Sequence, residues 1–204
     1  MKASQDEQQR TLVLATGNPA KVRELNELFQ GRGWRVRSLK EVAGDVDIEE
    51  SGDTLEENAE IKARFAYEKT GLPALADDTG LEVDALGGRP GVRSARYAGP
   101  AADARQNRKK LREELQAVTD PDRRSARFRT VLVYIGHAPT ERYRYIGTCE
   151  GRILTEERGS GGFGYDPLFV PDGYEETFAE MDPVEKNRIS HRGRALQKFL
   201  ADMS

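Results

Sequence analysis

The chain has 204 residues, 33% of them Asp, Glu, Lys or Arg, with a net charge of −3 and a pI near 5.6. That length suits one domain, or one domain of two lobes, and suffices to bury a core; the near-balance of charge argues against a general electrostatic grip on DNA or an anionic membrane. Cys149 is the sole cysteine, and His137 and His191 are the only histidines. An intrachain disulfide is therefore excluded, a reducing, cytoplasmic setting is expected, and any metal should sit on carboxylates rather than in a Cys/His zinc site.

Residues 1–10 are polar and read as a disordered tail, leaving residues 11–204 as the folded part. The longest apolar runs are strand-sized, so neither a membrane span nor a secretory leader is expected. Residues 11–15 read as a strand, followed by a helix with Asn18 as N-cap, Pro19 at the first helical position, and Val22, Leu25, Leu28 and Phe29 on one apolar face. A second helix starts at Thr54-Leu55-Glu56-Glu57, which has capping-box spacing, and runs to about Thr70 before Gly71 and Pro73. Residues 72–76 form a short apolar strand ending at the acidic pair Asp77-Asp78, and residues 81–86 alternate as another strand.

A third helix covers residues 105–118. Residues 127–136 and 142–147 read as an antiparallel pair around His137-Ala138-Pro139-Thr140, residues 152–154 and 168–170 as short strands, and a last helix starts at Ser190. Mixed hairpins and strand-helix units predict an α/β fold with a mixed β-sheet.

Four constellations carry chemistry. Thr16-Gly17-Asn18-Pro19-Ala20-Lys21 lies on the first strand-to-helix turn, where backbone N–H groups and a Lys one turn in can face an anion, phosphate above all; a well-capped helix with a surface Lys is the plainer reading. Ala76-Asp77-Asp78-Thr79-Gly80 places two acids and a hydroxyl where a hard cation such as Mg²⁺ could take oxygen ligands, although the same residues make good turn composition. Glu49 and Glu57 add carboxylates nearby in sequence, and Glu57 is also explained by capping alone.

Residues 159–167 contain a formal G-x-G-x-x-G match, but no helix can open through Tyr165-Asp166-Pro167, so dinucleotide binding is not expected. A glycine loop with Phe163 and Tyr165 suits closure over a flat ring, or else anchors itself to the core. Finally, Lys186, Arg188, His191 and Arg192 gather around the start of the last helix, where cations oppose the macrodipole and call for an anionic or carbonyl-bearing ligand.

In this order, Thr16-x-Asn18-x-x-Lys21, Glu57-Asn58-Ala59, Ala76-Asp77-Asp78-Thr79-Gly80, Gly91-Val92-Arg93-Ser94-Ala95-Arg96-Tyr97, Gly162-Phe163-Gly164-Tyr165-Asp166-Pro167 and Ile189-Ser190-His191-Arg192-Gly193 span nearly the whole chain. Together they resemble the inosine triphosphate pyrophosphatase family. The resemblance implies hydrolysis of ITP, dITP and XTP to the monophosphate and pyrophosphate, with Mg²⁺, in the service of a clean nucleotide pool. It also implies a homodimer whose protomer has two α/β lobes around a long curved mixed sheet flanked by helices.

Carried over by position, Thr16, Gly17, Asn18, Pro19, Ala20 and Lys21 bind the triphosphate. Glu49 and Asp78 hold the metal, with Glu57 and Asp77 in second place, and Asp78 and Lys21 are catalytic. Thr79, Phe163, Gly164, Tyr165, Asp166, Lys186, His191 and Arg192 bind the substrate. The family commonly has Ser, Gly and Phe where this chain has Thr79, Ala20 and Leu55. Rival readings are a septum-formation-type pyrophosphatase acting on pyrimidine nucleotides, a non-catalytic nucleotide sensor, and a nucleic-acid-binding module.

Overall fold

Leu12, Val13 and Leu14 are fully buried one after another, so the first strand, β1 (Arg10–Leu14), is covered on both faces, as expected of a strand inside a parallel pair. The computed structural model describes residues 10–101 and 103–203; all but the last residue of the expected tail lies outside the described residues, and Arg10 already belongs to β1.

The helix α1 (Pro19–Phe29) follows, then β2 (Trp34–Ser38), α2 (Leu39–Ala43), α3 (Leu55–Thr70), β3 (Ala74–Val83), β4 (Pro90–Gly91) and α4 (Ala104–Glu114). The second half contains β5 (Ser125–Ile135), β6 (Arg142–Ile153), β7 (Phe169–Pro171), α5 (Pro183–Ile189) and α6 (His191–Asp202). The sheet runs β2-β1-β3-β5-β6-β7, with β4 on β3. β1 pairs parallel with β2 and β3, whereas β3/β4 and β6/β7 are antiparallel, so the sheet is mixed and the α/β class holds.

The chain divides into two compact units whose boundary falls within β3, β5 and β6. In the first unit (residues 10–52, 57–77 and 132–144 of those described), Leu25 and Phe29 of α1 are buried, and α3 buries Ala59, Ala63 and Ala66 along one stripe. Phe29, Trp34 and Tyr134 meet edge to face, with centroids 6.3 and 6.4 Å apart.

In the second unit the core gathers Leu81, Leu111, Leu115, Phe128, Phe169 and Phe178, and Phe128 lies against Phe169 at 4.7 Å. Arg124 is buried there. It donates to the carbonyls of Leu115, Val118, Ile153 and Leu154, tying the end of α4 to the end of β6, and burial lowers its pKa. Cys149 is buried as well, and desolvation pushes its thiol up to about 11, so it is inert.

Four expectations change. The helix expected over residues 105–118 ends at Glu114, after which the chain turns. The segments predicted as residues 72–76 and 81–86 are one ten-residue strand, β3, so Asp77 and Asp78 lie in mid-strand rather than at a strand end or in a turn. The expected short strand at residues 152–154 is the continuation of β6. Finally, β2, α2 and α5 were not foreseen, although the alternation Trp34-Arg35-Val36-Arg37 and the cap Asp182-Pro183 signal two of them.

Candidate active site

The first unit holds the turn between β1 and α1. Asn18 caps α1 as expected: its Oδ1 accepts from the N–H groups of Ala20 at 2.9 Å and Lys21 at 3.4 Å. Thr16 Oγ1 accepts from the Asn18 N–H at 3.2 Å. Backbone donors expected to be free for an anion are thus partly consumed by the cap. Gly17, Asn18 and Pro19 are exposed, while Ala20 is half-buried.

Lys21 Nζ lies 2.9 Å from Asp77 Oδ2, with side chains 14% and 0% exposed. The pair is well enough buried to fix the Lys side chain in one place. The remaining acids of this unit differ from one another. Glu49 and Glu57 are exposed, whereas Glu50 is half-buried against Lys62 at 3.0 Å. Gly52 donates its N–H to Asn58 Oδ1 at 2.8 Å, which holds the chain entering α3.

The second unit comprises residues 53–56, 78–131 and 145–203 of those described, and in it Asp78 is 6% exposed. The next residue, Thr79, has its Oγ1 2.5 Å from Thr130 Oγ1 on the neighbouring strand β5. Arg192, at the start of α6 and 1% exposed, donates from Nη2 to the same Thr79 oxygen at 3.3 Å.

Two cations flank the half-buried ring of Phe163: Lys186 Nζ at 5.2 Å and Arg192 Cζ at 5.6 Å from its centroid. Lys186, at the end of α5, also meets Asp166 Oδ2 at 3.0 Å, and that oxygen accepts from the Phe163 N–H at 2.7 Å. One carboxylate therefore sets both the loop and the lysine. Lys186 and Arg188 sit in the last turn of α5, so part of the compensation demanded of a ligand comes from that helix's C-terminal dipole.

His191 stacks on Phe128 at 4.7 Å and 14° and is 4% exposed. Tyr165 is an anchor rather than a stacking surface: it is 5% exposed, its hydroxyl donates to the Ser94 carbonyl at 2.9 Å, and burial raises its pKa. Gly162 is required beside this acid, since a Cβ there would overlap the Asp166 carboxylate. Gly164 is half-buried, and its carbonyl accepts from Arg108 Nη1 at 2.8 Å, a tether with no signal in the sequence.

Taken alone, the second unit presents two buried cations beside one aromatic face, a set of donors suited to a flat ring bearing carbonyl oxygens. The Gly91-to-Tyr97 motif supports it from behind: Ser94 Oγ accepts from the Leu81 N–H at 2.8 Å and donates to the Gly91 carbonyl at 2.6 Å. Among the described residues no three His, Cys, Asp or Glu side chains gather into a metal-holding group.

A family model described as the Ham1 family matches residues 12–202. The dITP/XTP pyrophosphatase of Thioalkalivibrio sulfidiphilus is 52% identical over 190 residues, covering 93% of this chain and 96% of that protein. The dITP/XTP pyrophosphatase of Desulforamulus reducens is 52% identical over 189 residues, covering 93% of each. Among solved structures, a HAM1 protein from Coxiella burnetii superposes with a TM-score of 0.84 at 44% identity, covering 95% of this chain and 98% of that one.

Proposed function

The chain belongs to the Ham1 family, and from that premise we propose that it hydrolyses deaminated purine nucleoside triphosphates (ITP, dITP and XTP) to the nucleoside monophosphate and pyrophosphate. The observation that carries this reading is the pair of buried cations on Phe163, Lys186 and Arg192, in a chain whose relatives are named for dITP and XTP.

Hypoxanthine and xanthine carry a carbonyl at purine position 6, which Lys or Arg can satisfy; adenine carries an amino donor there. Donor then faces donor, and a buried group left unpaired costs about 1–3 kcal/mol, or roughly tenfold to a hundredfold in selection. Phe163 supplies the stacking face, worth about 1–3 kcal/mol per base. Thr79, Asp166 and His191 hold these groups, and Gly164 and Tyr165 hold the loop.

On the phosphate side, Lys21 meets the triphosphate's charge, with Thr16, Gly17, Asn18, Pro19 and Ala20 shaping the turn beneath it. Asp78 and Glu49 would hold Mg²⁺, with Glu57 and Asp77 in second place. This donor set fits the ion, which takes one or two carboxylates and completes its shell with phosphate and water oxygens. When bound, Mg²⁺ supplies charge neutralisation along the phosphates and a more acidic water. Asp78 accepts a proton from the water attacking the α-phosphorus, and Lys21 stabilises the charge that develops on the phosphates.

The enzyme acts as a homodimer in the cytoplasm, a reading that rests on the family resemblance and the single cysteine. A panel of nucleoside triphosphates assayed for both pyrophosphate and orthophosphate tests the function. Pyrophosphate from dITP, ITP and XTP well ahead of dATP is expected; preference for a pyrimidine triphosphate would support the septum-formation-type reading instead.

A further inference from the structure

Thr130 lies in mid-β5 with no exposed surface, and its hydroxyl, 2.5 Å from Thr79 Oγ1, is one step from Arg192. A guanidinium only donates, so Thr79 must turn its oxygen, not its methyl, toward Arg192 Nη2. Threonine is β-branched: rotation about χ1 exchanges oxygen and methyl, and only a partner fixes which one occupies a given direction. Thr130 is such a partner. Whichever hydroxyl donates, the contact holds Thr79 Oγ1 in the position from which it accepts from Arg192.

We propose that Thr130 is a positioning residue for base selection, acting through Thr79 to hold the Arg192 guanidinium beside Phe163. The inference rests on the proposed pyrophosphatase reading. It also accounts for the second hydroxyl in a chain that carries Thr at position 79: a serine there would present no competing methyl, whereas threonine needs its rotamer chosen.

The consequence is confined to the base. A loosened Arg192 weakens the grip on a purine carbonyl in ground state and transition state alike, so KM for dITP rises while kcat is preserved. dATP, which gains nothing from that donor, is unaffected.

The test uses the full-length protein and its Thr130→Val and Thr130→Ser variants, with kcat and KM for dITP and dATP and a thermal melt for each. Valine keeps the shape and removes the hydroxyl; serine keeps the hydroxyl. Loss of one hydrogen bond corresponds to about three- to tenfold, so Thr130→Val should raise KM for dITP by about that factor, leave kcat and dATP unchanged, and narrow the dITP-to-dATP ratio. Thr130→Ser should restore it. Should the valine variant fail to fold, Thr130→Cys, a weaker donor of similar size, is read in the same way. Equal losses on dITP and dATP, an unchanged ratio in Thr130→Val, or a serine variant as impaired as valine would each overturn the inference while the wild type remains active on dITP. A wild type inactive on dITP would overturn the function and the inference together.

Discussion

Asp78 is only 6% exposed, and in the proposed reaction it both binds metal and accepts a proton. Its neighbour Asp77 meets Lys21 Nζ at 2.9 Å. Replacing Asp78 with Asn keeps size and strand conformation but removes charge and basicity. Loss of general-base function alone costs about 10²–10⁴ in rate, and weaker metal affinity should add to it. The expected result for Asp78→Asn is a fall in kcat of at least that order at saturating Mg²⁺, with a circular dichroism spectrum and melting temperature close to wild type. Turnover near the wild-type rate would remove Asp78 from the chemistry. At this scale part was legible: Asn18 as a cap follows from residue type and context. Thr130 and Arg108 were not, because a threonine in an apolar strand and an arginine on a charged helix look ordinary until their partners, 51 and 56 residues away, are known.

Elements bring these side chains together, and glycines set how closely they pack. A Cβ on Gly193 would overlap the Asn187 carbonyl oxygen, and one on Gly147 would overlap that of His191. The glycine ending Ile189-Ser190-His191-Arg192-Gly193 is thus explained by the corner between α5 and α6, where Ser190 caps α6 by accepting from the Gly193 N–H at 3.1 Å. Overpacking of this kind costs about 1–3 kcal/mol. Gly193→Ala should therefore lower the urea midpoint by a corresponding amount and, by displacing Arg192, also reduce selection for dITP; unchanged stability and selectivity would show that the corner yields at no cost. Helix starts were readable from caps, whereas the third helix, expected to reach residue 118, ends at Glu114. The strand through Asp77 and Asp78 was not, because Asp-Asp-Thr-Gly has turn composition while β3 has β1 and β5 as its neighbours in the sheet, and that pairing overrides local preference. Gly80, which suggested a turn, serves the close approach of β4: a Cβ there would stand 2.6 Å from the Gly91 carbonyl oxygen.

Over the whole molecule, the proposed work is shared by residue groups of different character. The group in the first unit is the ion pair of Lys21 with Asp77, whose lysine is proposed to meet the phosphates; the group in the second, Phe163 with Lys186 and Arg192, carries an aromatic face and donors suited to a base. Class and mixed sheet were legible from the order of hairpins and strand-helix units, and the family from the ordered motifs. Where the chain divides into units was not, since the boundary falls inside three strands and leaves no linker in the sequence. The central claim is that water attacks the α-phosphorus of a deaminated purine triphosphate. Its most direct test is hydrolysis of dITP with Mg²⁺ in ¹⁸O-labelled water, followed by mass spectrometry of both products. The account predicts dIMP carrying one ¹⁸O together with unlabelled pyrophosphate, and no reaction in the presence of chelator; dIDP with labelled orthophosphate, or label in the pyrophosphate, would contradict it.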